Sequence, residues 1–251
     1  MSREIGNISQ VGYGEFYSSA TPTQQLVTAG HPVDLLTYIP NFALVPLSGE
    51  SIMLGVKRCV DVIGALTLLL ILSPLFILLA ALIKLSSQGP VFFKQERLGK
   101  NRLPFTIWKF RTMMNDAESR LAELRQNCGG GDVFFKLKND PRVTRVGRVM
   151  RKYSLDELPQ LFNVLTGEMS FVGPRPICAF ELERFNGWGQ LRRFEMTPGL
   201  TCIWQVSGRS NTTDQARMNY DLQYVDNWSL LLDFKLLLRT VPVVVKGEGA
   251  V

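Results

Sequence analysis

The chain has 251 residues, 46% of them apolar and 20% charged, with a formal net charge of +6. That suffices for one large domain or two small ones, and the excess of basic residues suits anionic partners: nucleic acid, phosphorylated substrates or an anionic membrane face. A single histidine, His31, sits among loop-forming residues, so proton and nucleophile chemistry falls to carboxylates.

Residues 1–50 are rich in Ser, Thr, Gly, Gln and Pro and have no apolar leader; they read as a mobile arm. Four cysteines, at 59, 128, 178 and 202, lack CxxC spacing, which argues against zinc or a disulfide framework and fits a reducing compartment.

Residues 62–83, "VIGALTLLLILSPLFILLAALI", hold 22 positions without a charge. As a helix they cover roughly 33 Å, enough for a bilayer core. Pro74 cannot donate to the carbonyl of Leu70, so a kink is expected there, and Ser73 can bond back to a freed carbonyl. Lys57 and Arg58 precede the segment; Lys84, Lys94, Arg97, Lys100 and Arg102 follow it. Basic residues on both flanks favour keeping both ends on one side. A re-entrant helix-break-helix over 51–88 and a kinked span both satisfy the pattern.

"VFFKQ" and "FTIWKF" read as a β-hairpin turning at Gly99, Lys100 and Asn101. An amphipathic helix follows, with Met114, Ala117, Leu121 and Leu124 on one face, stopped by glycines 129–131. "RVTRVGRVMRKYS" predicts a basic helix with Val143, Val146 and Val149 on one side and Arg142, Arg145, Arg148, Arg151 and Lys152 elsewhere. Beside a membrane anchor such a run can meet lipid headgroups. The apolar C-terminal stretch "NWSLLLDFKLLLRTVPVVV" is interrupted by Asp233, Lys235 and Arg239 and suits an interfacial helix. Trp188, Trp204 and Trp228 suit either headgroup depth or ordinary packing.

The stretch that invites chemistry is "RKYSLDELPQLFNVLTGEMSFVGPRP", Arg151 to Pro176. Ser154 and Glu157 have capping-box spacing, and Asp156 adds negative charge to a first helical turn. A cap accounts for local shape but not for the arginines around it. Helical neighbours point about 100° apart, so Asp156 and Glu157 would take different roles. The helix start and Arg151 would lower a carboxylate pKa, suiting an ionised nucleophile or a ligand of a hard divalent ion such as Mg²⁺. Pro174 and Pro176 stiffen the backbone around Arg175, which suits a phosphate grip. Arg209 lies in a glycine-flanked loop and suits the same task.

Taken in order, the motifs resemble those of the monotopic phosphoglycosyl transferases, bacterial sugar transferases acting on polyprenyl phosphate. The matching residues are "KR..D" at Lys57, Arg58 and Asp61, the Ser73-Pro74 break, "KFRTM" at 109–113, "LDELPQL" at 155–161, "GEMSFVGPRP" at 167–176, "PGLT" at 198–201, "WQVSGR" at 204–209 and "NWSLLLD" at 227–233. The resemblance spans about 52–245. Asp214 departs from it, standing near a point where similar proteins often carry an aromatic residue.

The resemblance implies a mainly α fold with a small β-hairpin, a monotopic membrane protein whose Ser73-Pro74 break is the apex of a re-entrant helix. Residues 1–50 would form the arm, 51–88 the membrane helix and 89–251 a cytoplasmic and interfacial catalytic domain. It implies transfer of a sugar 1-phosphate from a UDP-sugar to polyprenyl phosphate with release of UMP. Asp156 would be the nucleophile, and Glu157 would hold Mg²⁺ with Asp156 beside it. Arg151, Arg175 and Arg209 would engage phosphates, with Pro174 and Pro176 shaping the loop and Asp233 in the same pocket. The implied setting is the cytoplasmic face of a bacterial inner membrane. The partners are the bilayer, donor and acceptor, without nucleic acid; self-association or association with other glycan-assembly enzymes is compatible with it. A glycosyl transferase with a carboxylate base, and a non-catalytic scaffold for glycan assembly, are the two other classes.

Overall fold

The computed structural model describes residues 49–117, 119, 140–182, 188–208 and 212–247. The arm, most of the helix expected after Met114, Cys128, the glycines 129–131 and Arg209 lie outside them. The remainder is mostly helical with two small sheets.

Helix α1, Gly49–Ser86, is a single element of 38 residues with Pro74 inside it. The proline frees the carbonyl of Leu70, and the Ser73 hydroxyl donates to that oxygen at 2.8 Å. Ser73 thus satisfies the acceptor that Pro74 orphans. Around this point one face of the helix is bare, with Leu70 77% exposed and Ile77 72%, while Leu69, Leu75 and Phe76 pack against the body. Away from it, both halves lie on the same body. Ala65 joins a core with Phe105, Ile107, Leu161, Val164, Met169, Phe171, Val172, Tyr224 and Leu236. Leu79 and Ile83 join a second with Phe110 and Met150.

The hairpin pairs β1, Phe92–Leu98, with β2, Pro104–Phe110, in antiparallel register from Phe92↔Phe110 to Leu98↔Pro104. Its turn is a 3₁₀ segment, Lys100–Arg102, with Asn101 and Arg102 at positive φ. Helix α2, Arg145–Lys152, starts at Thr144, whose hydroxyl accepts from the Gly147 N–H at 2.9 Å. The basic helix exists, but its buried side differs from the expected valine row. Gly147 and Met150 face inward, Val149 is exposed, and Val143 precedes the helix in a bridge with Met113. The reason is close approach: a Cβ on Gly147 would lie 2.1 Å from the Thr112 carbonyl oxygen, so this face must turn inward.

A 3₁₀ turn, Leu155–Glu157, leads to α3, Gln160–Thr166. Strand β3, Ser170–Val172, pairs in parallel with β4, Gly199–Thr201, a second sheet that alternation did not announce because each strand has three residues. Between them lie α4, Ala179–Leu182, and a 3₁₀ segment, Trp188–Glu195. Helices α5, Ile203–Ser207, α6, Asp214–Asp226, and α7, Leu230–Lys246, complete the order. Along α7, Leu231, Phe234, Leu238, Val241 and Val245 are exposed. Their 3-4-3-4 spacing makes one apolar stripe.

Candidate active site

A cavity of about 1150 Å³ opens between the hairpin, the 151–158 turn, the 175–177 loop and helices α5 to α7. Arg151, Asp156, Glu157, Arg175 and Pro176 line it, together with Lys109, Arg111, Arg193, Trp204, Arg217 and Asp221. The fold therefore gathers residues spread over more than a hundred positions, most of them basic.

Glu157 is the centre of this set. Its Oε1 accepts from Lys109 Nζ at 2.9 Å and from Arg175 Nη2 at 2.8 Å. Burial alone would raise this carboxyl, but Arg175 and Lys109 outweigh burial and hold it well below the usual carboxylate range. Glu157 in turn raises the Arg175 guanidinium. The Arg175 loop is fixed from behind: Pro174 O accepts from Gly199 N–H at 2.9 Å, and Arg175 O from Arg193 Nη2 at 2.6 Å. Arg193 is itself paired with Asp221 at 2.7 Å in a fully buried contact. Burial pushes the Asp221 carboxyl up to about 6 despite that partner.

Asp156 behaves differently from its neighbour. It has no ion pair among the described residues. Burial, and next the charge of Glu157, raise its carboxyl above the usual range, while Lys109 and Arg151 pull the other way. The expected lowering of Asp156 is thus reversed. The capping box is not formed either: Ser154 has a left-handed backbone, φ 55°, and its side chain makes no cap bond. A three-residue 3₁₀ turn replaces the first turn of an α-helix, and Glu157 reaches across to the hairpin and the 175 loop instead of back to Ser154. Arg151 donates through Nε to Thr112 Oγ1 at 3.0 Å. Burial lowers its guanidinium, with Asp156 opposing.

Asp233 is not in this cleft. Lys57 Nζ bonds its Oδ2 at 2.6 Å, Trp228 Nε1 the same oxygen at 3.3 Å, and Tyr224 Oη donates to Oδ1 at 2.7 Å. Lys57 also donates to Val172 O at 2.9 Å, Arg58 to Val164 O and Leu165 O, and Asp61 accepts from Phe171 N–H. Asp233 therefore corrects the sequence expectation. Its helical position turns it toward the start of α1, where with "KR..D" it fastens the apolar helix to the body. Trp228 belongs to this fastening, whereas Trp204 belongs to the cleft, with the guanidinium carbons of Arg217 and Arg175 at 5.0 and 5.8 Å from its ring centre. Asp214 lines the cleft as well, and it pairs with Arg217 at 3.0 Å.

Lys109, Arg193 and Asp221 were missed as site residues. Lys109 stood inside a quoted motif, but nothing in spacing ties a strand lysine to a carboxylate 48 positions away. The pair Arg193–Asp221 carries no local signal at all.

Comparison with known proteins settles the family. Residues 52–247 match the model of the bacterial sugar transferase family. The chain belongs to that family. This sugar transferase is 46% identical, over 212 residues, to the exopolysaccharide production protein ExoY of Rhizobium meliloti (strain 1021), a match covering 83% of this chain and 91% of that protein. It is 43% identical over 199 residues to the undecaprenyl-phosphate galactose phosphotransferase of Salmonella typhimurium, covering 77% of this chain and 41% of that protein. It is 39% identical over 203 residues to the UDP-glucose:undecaprenyl-phosphate glucose-1-phosphate transferase of Escherichia coli (strain K12), covering 78% and 41%. The sugar transferase thus spans less than half the length of the latter two.

A divalent metal is a general expectation for such a family. Among the described residues no three acidic, histidine or cysteine side chains gather as a ready cage. The pair Asp156 and Glu157 suits a different arrangement. Both cations on Glu157 take Oε1, and Asp156 keeps its carboxyl for the cleft, so one hard ion held by one or two carboxylates and substrate phosphate oxygens fits the donor set.

Proposed function

We propose that this protein transfers a sugar 1-phosphate from a UDP-sugar to polyprenyl (undecaprenyl) phosphate, releasing UMP, as a first membrane step of exopolysaccharide or related glycan assembly. The observation that carries this is the carboxylate pair of unlike character in a basic cleft, on a body whose longest helix is apolar and exposed along one face around Pro74. Neighbouring carboxyls pushed apart in pKa take separate roles.

In this reading Asp156 supplies the nucleophile. A carboxylate oxygen attacks the β-phosphorus of the donor, and the bond from that phosphorus to the bridging oxygen breaks. UMP leaves with the electron pair, and the sugar phosphate is carried on Asp156. An oxygen of the lipid phosphate then attacks the same phosphorus and releases the carboxylate. Glu157 keeps Lys109 and Arg175 in place, and Arg151, Arg175 and Arg209 meet the phosphate charge. Mg²⁺, held by Glu157 and Asp156, would supply Lewis-acid neutralisation of that charge.

The re-entrant topology is part of the same proposal, with both ends of α1 on the cytoplasmic side of a bacterial inner membrane, residues 1–50 as an arm and 89–251 as the catalytic domain. The contacts of both halves of α1 with one body support it, as does the Ser73–Leu70 bond at the break. The exposed stripe of α7 supports an interfacial seat. Cysteines introduced near residues 52 and 100 are expected to label only from the cytoplasmic side; periplasmic labelling of the first overturns this topology.

One observation favours a second reading. A raised carboxyl at Asp156 also suits a general base in a glycosyl transferase that moves sugar without phosphate. Incubation with polyprenyl phosphate and a panel of UDP-sugars separates the two. UMP is the expected product; UDP selects the second reading, and no nucleotide release selects a non-catalytic scaffold.

A further inference from the structure

Arg111 is a buried cation in the cleft wall that the roles above leave unused. It is 7% exposed. Its backbone N–H extends the hairpin ladder to Val91 O at 2.8 Å. Its Nη2 donates to Ser87 O at 2.8 Å and Ser87 Oγ at 3.0 Å, one residue beyond the end of α1. Its Nε and Nη1 are buried and have no partner among the described residues. Buried N–H groups on a charge are costly to leave unmatched. Several other cations of the cleft have carboxylate partners, Arg175 and Lys109 on Glu157, Arg142 on Asp140 and Arg217 on Asp214, whereas Arg111 has none among the described residues. The backbone is shaped to admit this guanidinium, since Gly89 has φ +117° and a Cβ there would lie 2.1 Å from Nη1.

Position decides what anion would complete it. Lys109 and Arg111 are two residues apart on one strand line, so they share a face roughly 7 Å apart. Lys109 reaches Glu157. Arg111 lies on the side of the end of α1. There the same cavity is walled by Pro90, Phe92, Phe93, Met113 and Met114. Phe93 is 42% exposed and Met114 38%. The phosphates of a nucleotide sugar would use the cation, but its polar sugar and ribose would leave most of the apolar wall uncovered. A phosphate monoester on an isoprenoid chain uses both.

We infer that Arg111 seats the phosphate of the lipid acceptor at the α1 end of the cleft, with the exposed side chains of Phe93 and Met114 taking the first isoprene units. This rests on the transfer reading for its biological meaning but is testable by binding alone. The full chain in detergent is titrated with farnesyl phosphate, farnesol, inorganic phosphate and a UDP-sugar, following thermal unfolding. Wild type is expected to be stabilised by farnesyl phosphate and little by farnesol or inorganic phosphate. Arg111→Gln is expected to weaken farnesyl phosphate on the order of tenfold or more, the scale of one lost charge-assisted hydrogen bond, with UDP-sugar affinity within about threefold of wild type. That retained donor binding shows the variant is folded. If Gln does not fold, Arg111→Lys, which keeps charge but loses donors, is expected to weaken farnesyl phosphate about threefold or more. Unchanged farnesyl phosphate binding in a folded variant overturns the seat. So does inorganic phosphate binding as tightly as farnesyl phosphate, which marks a free-phosphate site, and so does parallel loss of UDP-sugar, which marks a donor cation. UMP release separates the two levels. If wild type turns over and Arg111→Gln keeps its acceptor KM, the seat fails and the transfer reading stands. If wild type releases no UMP with any donor, the transfer reading fails while the binding titration still decides the seat.

Discussion

Glu157, half-buried, and Asp233, buried, are both carboxylates bonded by a lysine, and both stand in motifs that pointed to the site. Their surroundings give them opposite tasks. Both oxygens of Asp233 are taken, Oδ2 by Lys57 and Trp228 and Oδ1 by Tyr224, and it does not line the cleft. Glu157 accepts its lysine and arginine on one oxygen and borders a cleft of about 1150 Å³. A saturated buried carboxylate fastens two elements together. One with unused acceptor capacity beside open space can meet a ligand. The contrast shows why residue type and motif membership do not suffice to separate a scaffold acid from a site acid.

The largest expected effect lies on the site side. Asp156→Asn preserves shape but removes the attacking carboxylate, and turnover is expected to fall at least about a thousandfold with thermal stability near wild type. Wild type given UDP-sugar without lipid is expected to gain one phosphosugar on a peptide containing Asp156, and initial rates should be ping-pong. Absence of the adduct together with intersecting rate plots would reassign Asp156 as a base or metal ligand.

Glu157→Gln should follow, losing roughly 10²–10³ in kcat, the scale of one lost electrostatic stabiliser. Chelation by EDTA should abolish activity and Mg²⁺ restore it. Full activity in EDTA removes the metal from the proposal.

Asp233→Asn tests the other half of the comparison. It strands Lys57 in a buried site, and a loss of about 3–5 kcal/mol in stability is expected. Activity per folded molecule should stay within about threefold, measured at low temperature after quantifying folded protein. Equal stability with lost activity would return Asp233 to the catalytic set.

The smallest effect is a pH displacement. Asp156 must be ionised to attack, and its carboxyl is raised by burial and by Glu157. The acid limb of kcat/KM for the donor should therefore fall at a pH above the ordinary carboxylate range, and Glu157→Gln should move that limb toward acid in the residual activity. Stability carries the opposite sign for Glu157 itself. Its lowered carboxyl contributes stability present above the ordinary carboxylate pKa and lost as pH falls through the folded value. A limb at the usual carboxylate pH, unmoved by the substitution, would mean that Asp156 does not feel its neighbour.

Local rules in the sequence determined much of this protein. An uncharged run of 22 residues makes one long helix, because apolar length and helical hydrogen bonding need no partner to be legible. The Ser73 repair of the Pro74 break follows from which carbonyl a proline frees. The hairpin follows from aromatic and β-branched runs around a glycine turn, whereas the basic helix was legible as a helix but not in which side it buries. Ordered motifs led to the family and to Asp156, Glu157, Arg151 and Arg175 around one cleft. Only the tertiary structure decided charge state and allegiance. The sequence spacing of Ser154 and Glu157 allowed a cap, but Lys109 and Arg175, 48 and 18 positions away, claimed the glutamate. Burial beside that glutamate raised Asp156 where a helix start would have lowered it. Lys57, 176 positions from Asp233, took that aspartate out of the site. Pairing between distant charges depends on which surfaces the cores bring together, and a one-dimensional pattern holds no measure of that distance.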